Sequence, residues 1–258
     1  MSRVSSGISK VDRRQVIEKI REQSKSWSFN KEKLLEARER RQEIIRKYGC
    51  VPMSVLCAED IRDPGLDELV EDTLAKQTYH TYFDFGDIKV SYPNISKYAL
   101  SQFPVGIAKL MIQMWSEPGD IYFDPFCERL PRLIIAHYLG RHVIGYDISK
   151  EAMKHNIEKI RRRVLASQTL DPDNNFILSA SEDSLEAYYQ GRMFMIYRRD
   201  SRKIHLDNNS VDAIGTSPPY WDTEYYGDEP EQIGNVKDYR MFLANLEKIL
   251  RECYRILR

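Results

Sequence analysis

The sequence predicts an α/β fold built on a parallel, Rossmann-like sheet, with an α-helical extension before it. Three observations support this prediction. From about residue 96 onward, apolar runs of strand length alternate with segments of helical periodicity. Two of these runs end at Asp124 and Asp147, and a third leads into Thr216-Ser217-Pro218-Pro219-Tyr220-Trp221. Polar residues and turns that follow successive strands are typical of the edge at which a parallel sheet binds ligands.

The composition is that of an ordinary globular protein, with 42% hydrophobic and 30% charged residues in a chain of 258. No apolar run reaches the roughly 18 residues of a membrane span, and the amino terminus has no signal-peptide pattern. The four cysteines lack metal-ligand spacing and fit reduced thiols. We therefore expect a cytoplasmic protein without a metal site.

Charge is unevenly distributed along a chain whose net charge is zero. Residues 3–47 contain 14 Lys and Arg against 7 Asp and Glu, a net charge of +7, so the remainder carries −7. A basic arm favours a polyanionic partner such as DNA. A solvated helical face explains the same pattern equally well. We predict two units, a helical extension over residues 1–95 and a main unit over residues 96–258.

In the extension, the spacing of apolar residues predicts helices over 10–24 and 30–48, and a short helix between residues 66 and 77. Residues 79–92 are rich in aromatic and β-branched side chains, with a turn signal at Gly86-Asp87, which indicates a hairpin. Its aromatic rings suit either stacking on bases or packing in the core or an interface.

The main unit begins with a strongly apolar helix, Val105 to Trp115, whose first turn suits Pro104. A strand that ends at Asp124 is followed by a helix from about Pro131 to Leu139. The next strand ends at Asp147. Ser149 then caps a helix whose buried stripe comprises Met153, Ile157, Ile160 and Val164. The cluster Arg161-Arg162-Arg163 is placed at the end of that helix, where cations complement the helix dipole, in preference to a DNA-phosphate role.

In the second half of the main unit, the sequence predicts less regular secondary structure. Residues 166–192 are interpreted as an irregular insertion with a helix around Ser184 to Gln190, followed by a strand from Met193 to Tyr197. Residues 211–215 form an apolar strand, and Val236 to Leu257 has the periodicity of a long amphipathic helix.

The two prolines after residue 215 cannot continue a strand, because each lacks an N–H group and has a fixed φ. The backbone therefore turns out at the carboxyl end of the strand and presents the Ser217 hydroxyl, free carbonyls, and the rings of Tyr220 and Trp221. Ser-Pro-Pro-Tyr after an apolar strand resembles motif IV of the S-adenosylmethionine-dependent DNA amino-methyltransferases. These enzymes methylate N4 of cytosine or N6 of adenine, and the serine form favours N4-cytosine.

The segment from Ile121 to Cys127 resembles motif I of the same family, whose usual form is Asp-Pro-Phe-x-Gly-x-Gly. The resemblance implies that Asp124, Pro125, Phe126 and Cys127 contribute to the cofactor site. The sequence departs from the pattern where Glu128 and Leu130 replace the glycines, and the resemblance then implies either an adapted loop or a disabled cofactor site. Arg129 matches a Gly-Arg variant of this loop and is a candidate DNA contact.

Three further segments match the family by position. Gly-Tyr-Asp-Ile resembles motif II, which implies that Asp147 and Ile148 bind the cofactor and that Asp147 accepts from the ribose. Asp200 stands where the motif III acid accepts from the adenine amine. The helix from Val105 to Trp115 stands where motif X holds the methionine part. The implied fold is a Rossmann-like methyltransferase sheet.

The implied reaction is methyl transfer to the exocyclic amine of a base flipped out of double-stranded DNA. The resemblance assigns catalysis to Ser217, Pro218, Pro219 and Tyr220, and stacking on the base to Tyr220 and Trp221. Residues 222–235 resemble the loop that closes over the base. The sequence lacks a Pro-Cys nucleophile, which argues against C5-cytosine methylation. The setting of this family is DNA methylation, often within restriction-modification, in a prokaryotic cell or phage-infected host.

Alternatives from other classes remain. The resemblance ends with the helix after motif IV, so we expect only the first strands of the sheet, with motif IV on an unpaired edge strand. The chain is then either a fragment or one half of a split enzyme whose second chain supplies target recognition. A non-catalytic DNA-binding or scaffold subunit is the second hypothesis, and methylation of RNA or a small molecule is the third.

Overall fold

The computed structural model describes residues 39, 42–43, 45–46, 64–70, 103–221 and 226–258. The predicted helix 10–24 and hairpin 79–92 lie outside the described residues. Within the predicted helix 30–48, the described residues 39, 42–43 and 45–46 are helical.

From residue 64 onward, the described residues form five α-helices and six strands. The helices are α1 (Pro64–Val70), α2 (Val105–Trp115), α3 (Pro131–Tyr138), α4 (Lys150–Gln168) and α5 (Tyr239–Ile256). The strands are β1 (Ile121–Asp124), β2 (His142–Asp147), β3 (Phe176–Ala180), β4 (Ser184–Tyr189), β5 (Arg192–Arg198) and β6 (Ala213–Ile214). A short 3-10 helix spans Ile233–Asn235. None of the described helices is long and apolar enough to cross a membrane.

The six strands form one sheet in the order β3-β4-β5-β2-β1-β6. The four neighbours β5, β2, β1 and β6 run parallel, while β3 and β4 are antiparallel to their neighbours. The chain leaves β1 towards β2 on one side and later returns to place β6 on the other side. The carboxyl ends of β1 and β6 therefore flank the point where strand order reverses, which is where open parallel sheets form their ligand crevice. The predicted α/β, Rossmann-like fold is confirmed.

Two hydrophobic clusters cover the two faces of the sheet. One joins α1, α2, α3 and α4 to the sheet and includes Ile112, Leu133 and Ile160. The other packs α5 on the opposite face and includes Phe123 and Ile256. The result is a three-layer α/β sandwich in which every parallel strand is buried on both sides.

Several predicted elements are confirmed with close boundaries. Helix α2 begins and ends at the predicted residues, and β1 and β2 end at Asp124 and Asp147. Ser149 caps α4 by accepting from the Ala152 N–H at 3.2 Å. The whole predicted stripe of α4 is buried. These agreements follow from strong periodicity and clear caps in the sequence.

The predicted helix around Ser184 to Gln190 is wrong, because this segment is strand β4 in a hairpin with β5. The turn residues Gln190 and Gly191 both have positive φ, at 51° and 75°. Positive φ at both central residues is the geometry of a tight two-residue hairpin turn, in which the second position favours glycine. The sequence Gln190-Gly191 was the turn signal that the prediction missed. The segment predicted as an irregular insertion also contains strand β3.

The predicted role of Arg161-Arg162-Arg163 at a helix end is also wrong, because α4 continues to Gln168. Arg162 pairs with Glu158 at 2.8 Å on the exposed face, and Arg163 donates to the Leu69 carbonyl of α1. The cluster therefore stabilises the surface of α4 and its contact with α1.

Strand β6 lies at the edge of the sheet, as predicted, but its outer side is partly paired. Val211 forms a parallel bridge with Leu257, and the Arg258 N–H donates to the Val211 carbonyl at 3.0 Å. The chain leaving α5 thus returns alongside the residues that lead into β6.

Candidate functional site

A cavity of about 480 Å³ opens at the carboxyl ends of the parallel strands. This volume is within the range of pockets that bind small molecules. Its wall is formed by the loops after β1, β2, β5 and β6, by the start of α2, and by the segment around the 3-10 helix. The crevice expected from strand order is therefore present and has the size of a cofactor site.

The loop Thr216–Trp221, called here the proline loop, supplies one wall through Ser217, Pro218, Pro219 and Tyr220. Its start is fixed by β1, because the Thr216 hydroxyl donates to Asp124 Oδ1 at 2.6 Å. Tyr122 donates to the Gly215 carbonyl at 3.0 Å, and a Cβ at position 215 would lie 2.0 Å from the Tyr122 hydroxyl oxygen. Only glycine allows this approach.

The polar groups of the proline loop differ in whether they already form a hydrogen bond within the protein. The Tyr220 N–H donates to the Tyr226 hydroxyl at 2.7 Å, while the Tyr220 side chain remains 53% exposed. Among the described residues, no protein group hydrogen-bonds to the Ser217 hydroxyl. Ser217 is thus free to bond a molecule in the cavity.

The loop Asp124–Leu130, called here the acidic loop, is built on a buried ion pair. Arg132 Nε donates to Asp124 Oδ2 at 2.7 Å, and both side chains are fully buried. Arg132 also donates to the Phe126 carbonyl at 2.6 Å, and Asp124 Oδ1 accepts from the Phe126 N–H at 3.1 Å. Sequence reasoning missed Arg132, because an arginine in the first turn of a helix gives no signal that it will fold under the preceding loop.

Asp147 and the neighbouring Ile148 line the cavity at the carboxyl end of β2. Its carboxylate accepts from the Glu128 N–H at 2.8 Å and from the Ser149 N–H at 2.9 Å. Burial raises the pKa of Asp147 to about 6, and the two backbone hydrogen bonds oppose this rise. A carboxylate so placed can accept further hydrogen bonds from a ligand hydroxyl.

Asp200 also lines the cavity, where the structure pairs it with Arg202 at 2.7 Å. The adjacent Ser201 donates to the Pro125 carbonyl at 2.6 Å. This bond ties the loop after β5 to the acidic loop, so that Asp200 and Phe126 belong to one continuous wall.

Not every predicted site residue lies in this wall. Asp124 and Cys127 are fully buried behind it, and burial raises the pKa of the Cys127 thiol. Trp221 donates from Nε1 to the Val236 carbonyl at 2.7 Å and packs against α5. Arg129 also lies outside the wall. The structure thus places these four residues as neighbours of the cavity, without contact to its interior.

Other wall residues come from segments with weaker sequence signals. Phe103, Pro104 and Ile107 line the cavity at the start of α2, where the motif X resemblance placed the methionine part. Arg199 lines it beside Asp200, with its guanidinium 4.5 Å from the centre of the Tyr197 ring. Tyr226, Gln232 and Ile233 line it from the segment around the 3-10 helix.

A family model described as DNA methylase, for N6 and N4 methyltransferases, matches residues 9–158. This match covers more than half of the chain. The chain belongs to the N6/N4 DNA methylase family. The matched residues include the acidic loop and Asp147, and they end before the proline loop. This family uses S-adenosylmethionine as its methyl donor.

The chain is also similar to a curated relative, the type II methyltransferase M.SfiI of Streptomyces fimbriatus. The two are 36% identical over 73 residues, which are 28% of this chain and 17% of the relative. The chain therefore spans less than a fifth of the length of the curated relative that it matches.

Solved structures with a similar fold include geranyl diphosphate methyltransferase in two complexes. The complex with S-adenosylmethionine has a TM-score of 0.34 and 16% identity, over 60% of this chain and 45% of that one. The complex with geranyl diphosphate and sinefungin has a TM-score of 0.35 and 15% identity, over 85% and 63%. These values are too low to inform on function.

Proposed function

We propose that this protein transfers a methyl group from S-adenosylmethionine to an exocyclic amine of a DNA base. The observation that carries the proposal is the shared cavity, in which Ser217 to Tyr220 face Phe126, Asp147 and Asp200. The family membership supports the methyl-transfer chemistry. The cavity supports the site, because it is lined by Pro125, Phe126, Asp147, Ile148, Asp200 and residues 217–220, which the resemblance assigned to cofactor and base.

The cavity fits the methyl donor in chemistry and in size. Pro125, Phe126 and Ile148 offer apolar surface, while Asp147 and Asp200 offer acceptors for hydroxyl and amine groups. Asp147 would hold the ribose hydroxyls, and Asp200 the adenine amine. Asp124 and Cys127 act indirectly in this arrangement, because they support the loop from behind the wall.

The reaction itself needs mainly positioning. S-adenosylmethionine supplies an electrophilic methyl group: the amine nitrogen bonds to this carbon, the sulfur keeps the electron pair, and one amine proton leaves to water. The Ser217 hydroxyl and the Pro218 carbonyl accept the hydrogens of the amine and orient its lone pair. Tyr220, which is half exposed at the cavity mouth, stacks on the flipped base.

The preferred acceptor under this proposal is N4 of cytosine, with N6 of adenine as the second choice. The support is the serine in the first position of the motif, where the adenine enzymes more often carry aspartate. Double-stranded DNA is the partner, and the basic segment 3–47 suits its phosphates. A place in restriction-modification agrees with the type II methyltransferase among the relatives.

Calorimetric titration with S-adenosylmethionine tests the cofactor half of the proposal. We expect binding by the natural chain, and its loss in Asp147→Ala. The matched control is Asp183→Ala, because Asp183 lies exposed in the turn between β3 and β4, does not line the cavity and pairs with Arg198. Absence of binding by the natural chain would favour the scaffold hypothesis or a requirement for a second chain.

Transfer of a labelled methyl group to unmethylated DNA tests the acceptor half. Digestion to nucleosides separates N4-methylcytosine from N6-methyladenine, and RNA of equal length tests the alternative acceptor. Ser217→Ala together with Tyr220→Ala should reduce transfer at least about a hundredfold, because both position the base. Unchanged transfer in this double variant would remove the proline loop from the mechanism.

A further inference from the structure

Glu128 occupies a backbone position that suits glycine, yet its side chain reaches the cavity. Its φ is 49°, and Leu130 nearby has a φ of 69°. An L-residue in this left-handed region costs about 1–2 kcal/mol, which glycine avoids. The acidic loop therefore keeps the left-handed geometry at both positions where motif I has glycine. A carboxylate is held at the cavity in spite of the backbone cost.

The backbone of Glu128 is fixed from both sides. Its N–H donates to Asp147 Oδ2 at 2.8 Å, and its carbonyl accepts from Asn156 Nδ2 at 2.5 Å. Rotation of the loop to remove the side chain would break both hydrogen bonds. The direction of the Glu128 Cα–Cβ bond is thus set by β2 and α4, and the residue lines the cavity.

Among the described residues, the Glu128 carboxylate accepts no hydrogen bond, and its one ion pair is long. The partner is Arg132, whose Nη1 lies 3.9 Å from Glu128 Oε2. Arg132 is already bound to Asp124 at 2.7 Å. Arg129 adds a weaker favourable charge, while Asp147 and Asp124 repel a charge at Glu128. This end of the cavity therefore carries more negative than positive charge.

We propose that Glu128 makes the cofactor site selective for charge, favouring the cationic S-adenosylmethionine over the product S-adenosylhomocysteine, whose sulfur is uncharged. This inference rests on the function proposed above and assigns a role to a residue that replaces a glycine of the motif. A partly buried carboxylate gains more from a bound cation than an exposed one does, and the only nearby cation that pairs with Glu128 among the described residues, Arg132, is 3.9 Å away and bound more closely to Asp124. The product loses the positive sulfur and with it this attraction.

The number of protons released on binding of S-adenosylmethionine gives a second test of the role of Glu128. Burial raises the pKa of Glu128 to about 7, Arg132 and Arg129 lower it, and Asp147 and Asp124 raise it further. A bound cation favours the ionised form, so S-adenosylmethionine should bind more tightly at pH 8 than at pH 6 and should release a proton at pH 6. Asp147, with a pKa of about 6, adds its own contribution in every variant that retains it.

Calorimetry with S-adenosylmethionine and S-adenosylhomocysteine, at pH 6 and pH 8 in two buffers, tests the proposal. In Glu128→Gln, we expect affinity for S-adenosylmethionine at pH 8 to fall about tenfold and affinity for the product to change less than about twofold. Proton release at pH 6 should shrink to the part contributed by Asp147. Glu128→Gly should show the same loss of selectivity without weaker folding.

Glu151→Gln is the matched control, because Glu151 is exposed in the first turn of α4 and removal of its charge changes the net charge equally. It should leave the ratio of the two affinities unchanged. Equal changes for both ligands in Glu128→Gln, or no change for either, would overturn the role of Glu128. Failure of the natural chain to bind S-adenosylmethionine at either pH would instead overturn the proposed function.

Discussion

The acidic loop and the proline loop follow neighbouring parallel strands and meet at one cavity, but they are held in different ways. In the acidic loop, a fully buried ion pair between Asp124 and Arg132 fixes a backbone that contains two left-handed residues. In the proline loop, two prolines restrict φ and the Thr216 hydroxyl attaches the loop to Asp124. One loop is shaped by tertiary contacts and the other largely by its own residues.

The two loops therefore differ in function: the buried pair of the acidic loop contributes to stability, whereas the tip of the proline loop is available for ligand contact. Asp124 and Arg132 are inaccessible from the cavity, whereas Ser217 and Tyr220 are open to it. Changes in the buried pair should therefore act mainly on folding, and changes at the tip of the proline loop mainly on the reaction. The following variants test that division.

Arg132→Met should produce the largest loss of stability. It leaves the Asp124 carboxylate buried without its cation, which costs about 3–5 kcal/mol. Chemical denaturation measures the loss as a lower midpoint. Arg162→Met removes an exposed pair with Glu158 and should cost under about 0.5 kcal/mol. Similar losses in the two variants would show that the buried pair does not hold the acidic loop.

Glu128→Gln should stabilise the unliganded protein at high pH. A raised pKa means that the folded state binds the proton more tightly than the unfolded chain, so stability falls as pH rises from about 4.5 to about 7. The variant removes this loss, which gives a gain on the order of 3 kcal/mol at pH 8 and none at pH 4. Melting temperatures across this range measure it. A gain that is independent of pH would exclude titration of Glu128 as the cause.

Thr216→Val should weaken the link between the two loops by about 1–2 kcal/mol, because the Asp124 carboxylate loses a hydroxyl donor at 2.6 Å. Thr216→Ser keeps the hydroxyl and serves as the control. Stability and cofactor binding should decline together in the valine variant. A valine variant as stable as the serine variant would show that the prolines alone position the loop.

Tyr220→Ala should have the smallest effect on folding, under about 0.5 kcal/mol, because 53% of the side chain is exposed. Methyl transfer should nevertheless fall strongly, since the ring is proposed to stack on the base. Tyr254→Ala, at an 83% exposed position on α5, is the control for both measurements. Loss of stability comparable to that of Thr216→Val would assign Tyr220 a structural role.

The fold and the position of the site could be predicted because their signals are local. The apolar periodicity of α2 and α4, the cap at Ser149 and the prolines at Pro218 and Pro219 each act within a few residues. The hairpin of β4 and β5 escaped prediction because its turn residue Gln190 adopts positive φ under the demand of strand pairing. Its local pattern did not exclude a helix.

The parallel sheet, the aspartates at the ends of β1 and β2, and the turn of the proline loop follow from the sequence alone, because backbone sterics and burial patterns act residue by residue. The folded structure was needed to show that Arg132 lies beneath the acidic loop, that Asp124 faces inward, and that Glu128 lines the cavity. These outcomes depend on burial and on pairing between charged side chains, which no periodic pattern in the sequence encodes.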